Sequence, residues 1–368
     1  MLTRIAKADW RHRRRVLATS DIHAHPDELR AVLKAADYAP EEDALVICGD
    51  LLEKGRKNLE TLRLVMKLAE MGEVCTLVGN ADVTLLNLLT GDSELRRQAR
   101  ARMVRNKGWW GWTVWDEVCA ELGLAFTPEM DFEAVIPLAR RHLAREIDFL
   151  AALPTVLDTP DRVFVHAGLT TPVLSALEGR DNDPLIRMDD FFHGAPAFDK
   201  TVVAGHWPVS LLWPDRLSME PLADEKRNIL CIDGGMGVKR MGQINLLCFP
   251  AEGGGFTNFG SDSLPRCRAL AAQSASPGRC LRWTNRFVDT VRALGDMSEI
   301  VQDSERMLVP TAFLYDGGGG RIACDDVTDA RLEVRAGDIL HGVEAVEKGI
   351  FCKLNGLCGW YDGPAEWL

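Results

Sequence analysis

Five short clusters hold the residues that could do chemistry in this 368-residue chain: Ser20-Asp21-Ile22-His23, Gly49-Asp50-Leu51-Leu52-Glu53-Lys54-Gly55, Gly79-Asn80-Ala81-Asp82, Val165-His166-Ala167-Gly168-Leu169 and Gly205-His206. Each follows a short apolar run and leads into glycine or a turn. One carboxylate or imidazole at such a place is most often a polar cap on a strand end. Two aspartates, a carboxamide oxygen and three histidines at five strand ends are a mixed nitrogen and oxygen donor set, of the kind that suits Mn, Fe or Zn. Two such ions about 3.5–4 Å apart are the usual clamp for a phosphate group. The donors therefore point to metal and phosphate, provided that the fold brings them together.

The elements between them give that arrangement. Arg15–Thr19, Ala44–Cys48 and Val74–Val78 read as strands, and Asp27–Ala36 and Leu59–Met71 as helices, a βαβαβ start. In the second helix Leu59, Leu62, Val65, Met66 and Ala69 form one face, and Gly72 ends it in the manner of a helix C-terminal cap. Further strands follow at Val163–Val165, Thr201–Ala204, Ile229–Ile232 and Ile244–Phe249. In an open α/β fold the carboxyl ends of the strands line one crevice. The insertion Val83–Asp161 reads mainly as helix, a cap or lid. It carries Trp109, Trp110, Trp112 and Trp115, which could stack on a substrate or simply bury a helical hairpin.

Glycine-rich Ala251–Gly260 and then Gln273–Gly278 mark the end of this domain. Arg282–Leu294 reads as a helix. Short strands follow at Leu332–Arg335, Ile339–Val346, Gly349–Leu354 and Gly359–Tyr361, with turns at Gly337-Asp338 and Asn355-Gly356, the latter a strong hairpin signal. Their order resembles SH3-like small barrels. The expected division is a catalytic domain over 1–262 with its cap at 83–161, a linker and helix over 263–304, and an SH3-like β domain over 305–368.

Composition excludes several classes. Hydrophobic residues make up 46% and charged residues 26% of the chain, unlike a disordered protein. Apolar runs are a few residues long, whereas a membrane span needs about 20. With 43 Lys and Arg against 54 Asp and Glu, the net charge is -11, so no overall field favours nucleic acid or anionic lipid. The ten cysteines form no CxxC pair and read as reduced thiols. The apolar stretch behind Arg11–Arg15 stops at Asp21, too short for a signal-peptide core of about 7–15 residues, and the expected compartment is the cytoplasm.

In their order, the five clusters resemble the motifs of the calcineurin-like metallophosphoesterase superfamily, in its phosphoprotein-phosphatase branch, which includes symmetrical dinucleoside-tetraphosphate hydrolases. Asn228-Ile-Leu-Cys-Ile-Asp-Gly-Gly and Gln243-Ile-Asn-Leu-Leu are similar to that family's closing hairpin. The resemblance implies an α/β fold of four layers, a β-sandwich flanked by helices. It also implies two divalent ions, Mn first, with Fe, Zn or Ni accepted by the same donors. Asp21 and His23 would hold the first ion, Asp50 would bridge both, and Asn80, His166 and His206 would complete the second.

Lys54 stands where the family has a phosphate-binding arginine and keeps the charge without the bidentate fork. Glu53 replaces an aspartate there, and Arg187 is a further candidate for a phosphate oxygen. Ala81 occupies the slot of the family's histidine that serves the leaving group, a role worth about 10²–10⁴-fold in rate. Asp82 and His25 are the candidates to replace it. Otherwise the missing acid favours leaving groups that need little protonation, such as phosphoanhydrides and phenols. The first expectation is hydrolysis of a phosphomonoester on a protein or small molecule. The alternatives are hydrolysis of dinucleoside polyphosphates, and a catalytically weak phosphate-binding regulator whose tail recruits a protein partner. Neither nucleic acid nor a membrane is an expected partner.

Overall fold

The computed structural model describes residues 1–251 and 255–368, which form two compact units. The first comprises Met1–Trp207, Ala223–Gly237 and Ile244–Ser261. Its strands are β1 (Ile5–Lys7), β2 (Arg15–Thr19), β3 (Ala44–Ile47), β4 (Glu73–Thr76), β5 (Val156–Asp158), β6 (Arg162–Val165), β7 (Thr201–Ala204), β8 (Leu222–Asp224), β9 (Ile229–Cys231), β10 (Ile244–Pro250) and β11 (Thr257–Ser261). They make two sheets, β11-β10-β2-β3-β4 and β1-β5-β6-β7-β9-β8. In the first sheet β2, β3 and β4 run parallel, and β10 and β11 are added antiparallel. In the second, β6, β7 and β9 are parallel.

Side chains alternate across a strand, so each sheet must find a partner for each apolar face. Ala18, Val46 and Leu247 from one sheet meet Leu157, Phe164, Val203 and Leu230 from the other in a single buried cluster. The opposite face of the first sheet, through Leu17, Leu45, Ile47 and Leu246, packs on helices. This is the sandwich implied by the family resemblance. All four residues of β3 are buried, as a strand covered on both faces requires.

The covering helices are α1 (Pro26–Ala35) and α2 (Asn58–Met71), joined by those of the insertion: α3 (Asn80–Thr90), α4 (Ser93–Trp110), α5 (Val114–Glu121), α6 (Phe132–His142) and α7 (Ala144–Ala152). Helix α1 opens with Pro26, has Asp27 and Glu28 in its first turn and Lys34 in its last, each favourable there for backbone or dipole reasons. Gly72 does follow α2, but in extended backbone (φ -164°) rather than a left-handed cap. Its missing side chain serves packing instead, since a Cβ there would lie 2.6 Å from Pro40 O. The insertion's tryptophans divide in role. Trp115 is wholly buried and stacks on Phe132 with centroids 5.6 Å apart, whereas Trp109 is 70% exposed.

The second unit comprises Pro208–Leu222, Val238–Gln243 and Asp262–Leu368. Its strands are β12 (Arg266–Ala269), β13 (Cys280–Leu281), β14 (Phe287–Leu294), β15 (Met297–Gln302), β16 (Glu305–Pro310), β17 (Leu314–Asp316), β18 (Ile322–Cys324), β19 (Val327–Thr328), β20 (Ile339–Val346), β21 (Gly349–Leu354), β22 (Leu357–Tyr361) and β23 (Ala365–Trp367). They form a curled antiparallel sheet β22-β21-β20-β12-β23, a second sheet β16-β15-β14-β18-β17 and the pair β13-β19.

Three expectations need correction in this part of the chain. Arg282–Leu294 is not a helix: beyond a short 3-10 turn at Trp283–Asn285 it is strand β14. The turn Gly295-Asp296, with Gly295 at φ +70°, pairs Leu294 with Met297 in a tight hairpin, and the ladder overrides the apparent helical spacing. Residues 263–304 are therefore not a linker but carry β12 to β15 within the second unit. Leu332–Arg335 makes only an isolated bridge, Val334 to Gln273. Part of the glycine-rich boundary expected at 251–260, residues 252–254, lies outside the described residues, while Thr257–Ser261 is strand β11. No helix among the described residues is long and apolar enough to cross a membrane.

Candidate metal centre

The loops that follow β2, β3 and β7 hold the donors in backbone conformations that side chains rarely adopt. Asp21, His23, Ala24, Asp50, Glu53, Lys54 and His206 all have positive φ, between 47° and 70°. Such strain costs of order 1 kcal/mol or more per residue and clusters where function over-determines the backbone. Two glycines allow the loops to close. A Cβ on Gly79 would lie 2.2 Å from both Asp50 N and Asp50 Oδ1, and one on Gly205 would lie 2.3 Å from Asp21 Oδ2.

The six expected donors converge. Ligand atoms of Asp21, His23 and Asp50 lie within 4.8 Å of one another, as do those of Asp50, His166 and His206, so Asp50 belongs to both groups. His23 Nε2 is 3.6 Å from Asp21 Oδ1 and from Asp50 Oδ2, and His166 Nε2 is 3.4 Å from Asp50 Oδ1. The imidazoles are set as a metal site requires. His23 Nδ1 donates to Leu52 O (2.9 Å) and His166 Nδ1 to Cys48 O (2.7 Å), which makes Nε2 the lone-pair atom of each ring and aims it inward. His206 Nε2 faces Asp189 Oδ1 at 3.2 Å and leaves Nδ1 inward. Burial, reinforced by His166, lowers the His206 pKa.

Two further features fit a cation. Asp21 Oδ1 is buried without a hydrogen-bond partner. Asn80 Oδ1 faces His166 Nε2 at 3.2 Å, acceptor against lone pair, unless the amide turns to donate to His166 Nε2 (3.2 Å) and His206 Nδ1 (2.8 Å). Converging lone pairs on carboxylate, imidazole and amide are a donor set that a divalent ion satisfies. Burial opposes charge on Asp50, but His166 and His23 outweigh it and hold its carboxyl well below the usual range. Asp21 is also lowered against its burial, chiefly by His23. The site reaches solvent on the side of His206, whose side chain is 14% exposed, while Asp21, His23 and His166 are sealed.

The other candidates fall in different places. Lys54 Nζ donates to His23 Nε2 (2.8 Å), so its ammonium lies at the Asp21-His23-Asp50 group. Glu53 points away from that group and into the insertion: Oε1 accepts from Val114 N (3.1 Å) at the start of α5, and Oε2 from Asn106 Nδ2 (3.1 Å) on α4. Burial pushes its carboxyl up. Asp82 serves as an acceptor in this geometry. Its Oδ2 accepts from Asp50 N and Gly79 N and its Oδ1 from Leu51 N, each at 3.0 Å, so it ties the loop after β3 to the first turn of α3. Ala81 likewise offers only its N–H, to Asp50 Oδ1 (2.8 Å). His25 Nδ1 donates to His23 O (2.6 Å) within the same loop. Arg187 is partly exposed and paired to Asp183 at 2.7 Å.

Sequence reading missed Arg102. It lies on α4, beside the buried stripe of Ala99 and Met103, and with the Asn80 amide in its turned orientation Nη2 donates to the carboxamide oxygen at 3.2 Å. The spacing of Ala99, Arg102, Met103 and Asn106 puts them on one helix face, a signal visible in sequence once α4 is placed. Nothing in the sequence says that this face turns to Asn80.

The chain is 37% identical over 84 residues to the symmetrical bis(5'-nucleosyl)-tetraphosphatase of Vibrio cholerae, covering 23% of this chain and 30% of that protein. With its Psychromonas ingrahamii counterpart identity is 41% over 71 residues, 19% of this chain and 25% of that protein. These matches thus span less than a third of the relatives' length. Among solved structures, a cold-active protein-tyrosine phosphatase of a psychrophilic Shewanella aligns with TM-score 0.41 and 15% identity over 70% of this chain and 82% of its own. A metallophosphoesterase from Sphaerobacter thermophilus aligns with TM-score 0.37 and 20% identity over 67% and 88% respectively. The model of the calcineurin-like phosphoesterase family matches residues 14–235, a span that includes all five clusters, and on that match the chain belongs to this family.

Proposed function

We propose that the chain is a divalent-metal-dependent phosphoester hydrolase, with Asp21, His23, Asp50, Asn80, His166 and His206 as the metal ligands. The observation that carries this reading is the position of Asp50, whose carboxylate belongs to both donor groups. A pair of divalent ions there would supply the positive charge that a water molecule needs to lose a proton near neutral pH and that phosphoryl oxygens need on approach. We take Mn as the first metal to test.

The protein's own contribution is orientation. Leu52 O, Cys48 O and Asp189 fix the three imidazole tautomers, and Asp82 and Ala81 N–H fix Asp50. Lys54 offers a point charge for a phosphate oxygen and Arg187 a fork. With Ala81 in the leaving-group slot, no histidine stands ready to protonate a departing alkoxide. That favours good leaving groups, aryl phosphates or phosphoanhydrides, over alkyl esters. A second reading, hydrolysis of a dinucleoside polyphosphate, is favoured by the same feature and by the activity for which the Vibrio and Psychromonas relatives are named. We further assign the curled C-terminal sheet an SH3-like role in recruiting a protein partner. The free cysteines accord with a reducing cytoplasmic setting.

The test is hydrolysis of p-nitrophenyl phosphate and of a dinucleoside polyphosphate panel by chain loaded with Mn, Fe, Zn or Ni, beside Asp50→Asn. We expect metal-dependent turnover that falls by at least about 10²-fold in the variant. Absence of turnover with every metal and substrate, or an unaffected variant, refutes the reading.

A further inference from the structure

Helices α2 and α5 each receive a carboxylate from the segment that carries the other. The first N–H groups of a helix have no partner within it, and a negative charge placed there meets the positive end of the helix dipole. At the start of α2, Asn58 N and Leu59 N donate to Glu117 Oε1 (2.7 Å) and Oε2 (2.9 Å), and Glu117 lies in α5. At the start of α5, Val114 N donates to Glu53 Oε1 (3.1 Å), and Glu53 lies in the loop that leads into α2. Two further donors come from the insertion, Trp112 Nε1 to Glu117 at 3.3 Å and Asn106 Nδ2 to Glu53 at 3.1 Å. Asn58 is wholly buried and joins the two caps. Its Nδ2 donates to Glu117 Oε1 (2.6 Å) and to Gly55 O (3.1 Å), and its Oδ1 accepts from Glu53 N (2.6 Å).

Between Glu53 and Gly55 stands Lys54, whose Nζ lies 2.8 Å from His23 Nε2. Glu53 and Lys54 both have positive φ, 70° and 65°, a backbone that such residues keep only where their surroundings fix it. On one side the surroundings are the loop after β2, since a Cβ on Gly55 would lie 2.6 Å from His23 O. On the other they are the two exchanged caps. We propose that Glu117 is a positioning residue: through Asn58 and the reciprocal cap, the insertion holds residues 53–55 and so keeps the Lys54 ammonium at the metal centre for a phosphate oxygen. Asp50, at the head of the same loop, is held separately by Asp82 and by Ala81 N–H, so the effect of Glu117 falls on Lys54 rather than on the metal ligands. The inference rests on the phosphoesterase reading for what Lys54 meets, and it gives the insertion a task beyond covering the sheet.

The experiment follows amide hydrogen exchange over residues 53–59 and calorimetric binding of inorganic phosphate to the Mn-loaded full chain. In Glu117→Gln at least one N–H at the start of α2 loses its acceptor, so exchange there should speed by about tenfold. Phosphate affinity should fall about fivefold, against about tenfold in Lys54→Ala, which removes the charge outright. The double variant should bind phosphate as weakly as Lys54→Ala alone, because Glu117 acts through Lys54. Mn affinity should change less than about threefold, short of the effect of removing a hydrogen bond from a ligand itself. Glu121→Gln breaks a pair between α5 and Arg63 of α2 but uncaps no helix, and should leave exchange and phosphate affinity within about twofold of wild type. If Glu117→Gln fails to fold, Glu53→Gln, which withdraws the charge from the start of α5, carries the same test. Unchanged exchange, a loss of Mn affinity as large as that for phosphate, multiplied losses in the double variant, or wild-type phosphate affinity in Lys54→Ala overturns the proposal even if p-nitrophenyl phosphate is hydrolysed. The expected pattern without any hydrolysis supports the reciprocal cap while faulting the phosphoesterase reading.

Discussion

Asp82 separates a positioning role from a catalytic one, and its substitution has a calculable cost. Three buried N–H groups, of Asp50, Leu51 and Gly79, lose their acceptor in Asp82→Ala. A hydrogen bond to a charged group contributes about 1.5–3 kcal/mol, and a buried donor left unpaired costs a similar amount. The three share one carboxylate, and keeping that carboxylate charged is itself costly: burial, then the charge of Asp50, pushes it up to about 7. The net loss is therefore closer to one strong bond than to three, about 3 kcal/mol. Asp82→Asn keeps one oxygen and turns an NH2 toward the remaining N–H, for a loss of about 2 kcal/mol. Because two of the three donors flank Asp50, metal affinity should fall by about 10–100-fold in either variant, the usual effect of removing an outer hydrogen bond from a ligand. Metal titration by calorimetry reads the affinity, and amide hydrogen exchange at Asp50, Leu51 and Gly79 reads the loosened loop. If Asp82→Asn instead kept its metal affinity and exchange protection while turnover fell and the alkaline limb of the pH profile vanished, Asp82 would be the proton donor and the positioning argument would be wrong.

Two further outcomes test the packing around the donors and the second unit. Gly205→Ala places a Cβ 2.3 Å from Asp21 Oδ2 and 2.4 Å from Ser20 Oγ, so it should displace Asp21 and weaken metal binding by at least about tenfold while the helical circular dichroism signal persists; wild-type affinity would mean that the loop after β2 has room to yield. In the second unit the buried carboxylate of Asp262 is destabilised by desolvation, but His341 and Lys353, the latter at 2.7 Å, prevail and hold it at about 2 against 3.8. A lowered carboxylate stabilises the fold above its unfolded value and loses that contribution as pH falls through its folded value. Denaturation between pH 5 and 2 should therefore cost the native protein about 2 kcal/mol more than Asp262→Asn, and parallel curves for the two would refute the linkage.

What could be read from sequence was what rests on local pattern. The five clusters are contiguous, each ends a short apolar run, and the convergence of their donors follows once the strands are parallel and their carboxyl ends share an edge. The strands Thr201–Ala204, Ile339–Val346 and Gly349–Leu354 coincide with their expected bounds, because apolar runs between turn residues have few alternative readings. The failures come where a local signal has two physical uses. Gly72 could be a left-handed cap or a close approach, and contact with Pro40 O decides for the second. The spacing over Arg282–Leu294 suits a helix, yet the hairpin at Gly295-Asp296 delivers a ladder that no window of the segment contains.

The site shows the same division. Glu53 and Asp82 lie in motif positions and so looked chemical, but the carboxylate of each is consumed by N–H groups distant in sequence, Val114 and Asn106 for one, Asp50 and Leu51 for the other. Arg102 lies in no motif, yet its guanidinium lies at the outer end of the Asn80 carboxamide and meets the oxygen when the amide is turned. Motif position therefore identifies the donors well and the residues that orient them poorly. A donor must present one atom to one point, which constrains its place in the chain. An orienting group needs only to arrive there from any helix that packs nearby, and in this protein α4 brings it from the insertion, the part of the first unit with no sequence motif of its own.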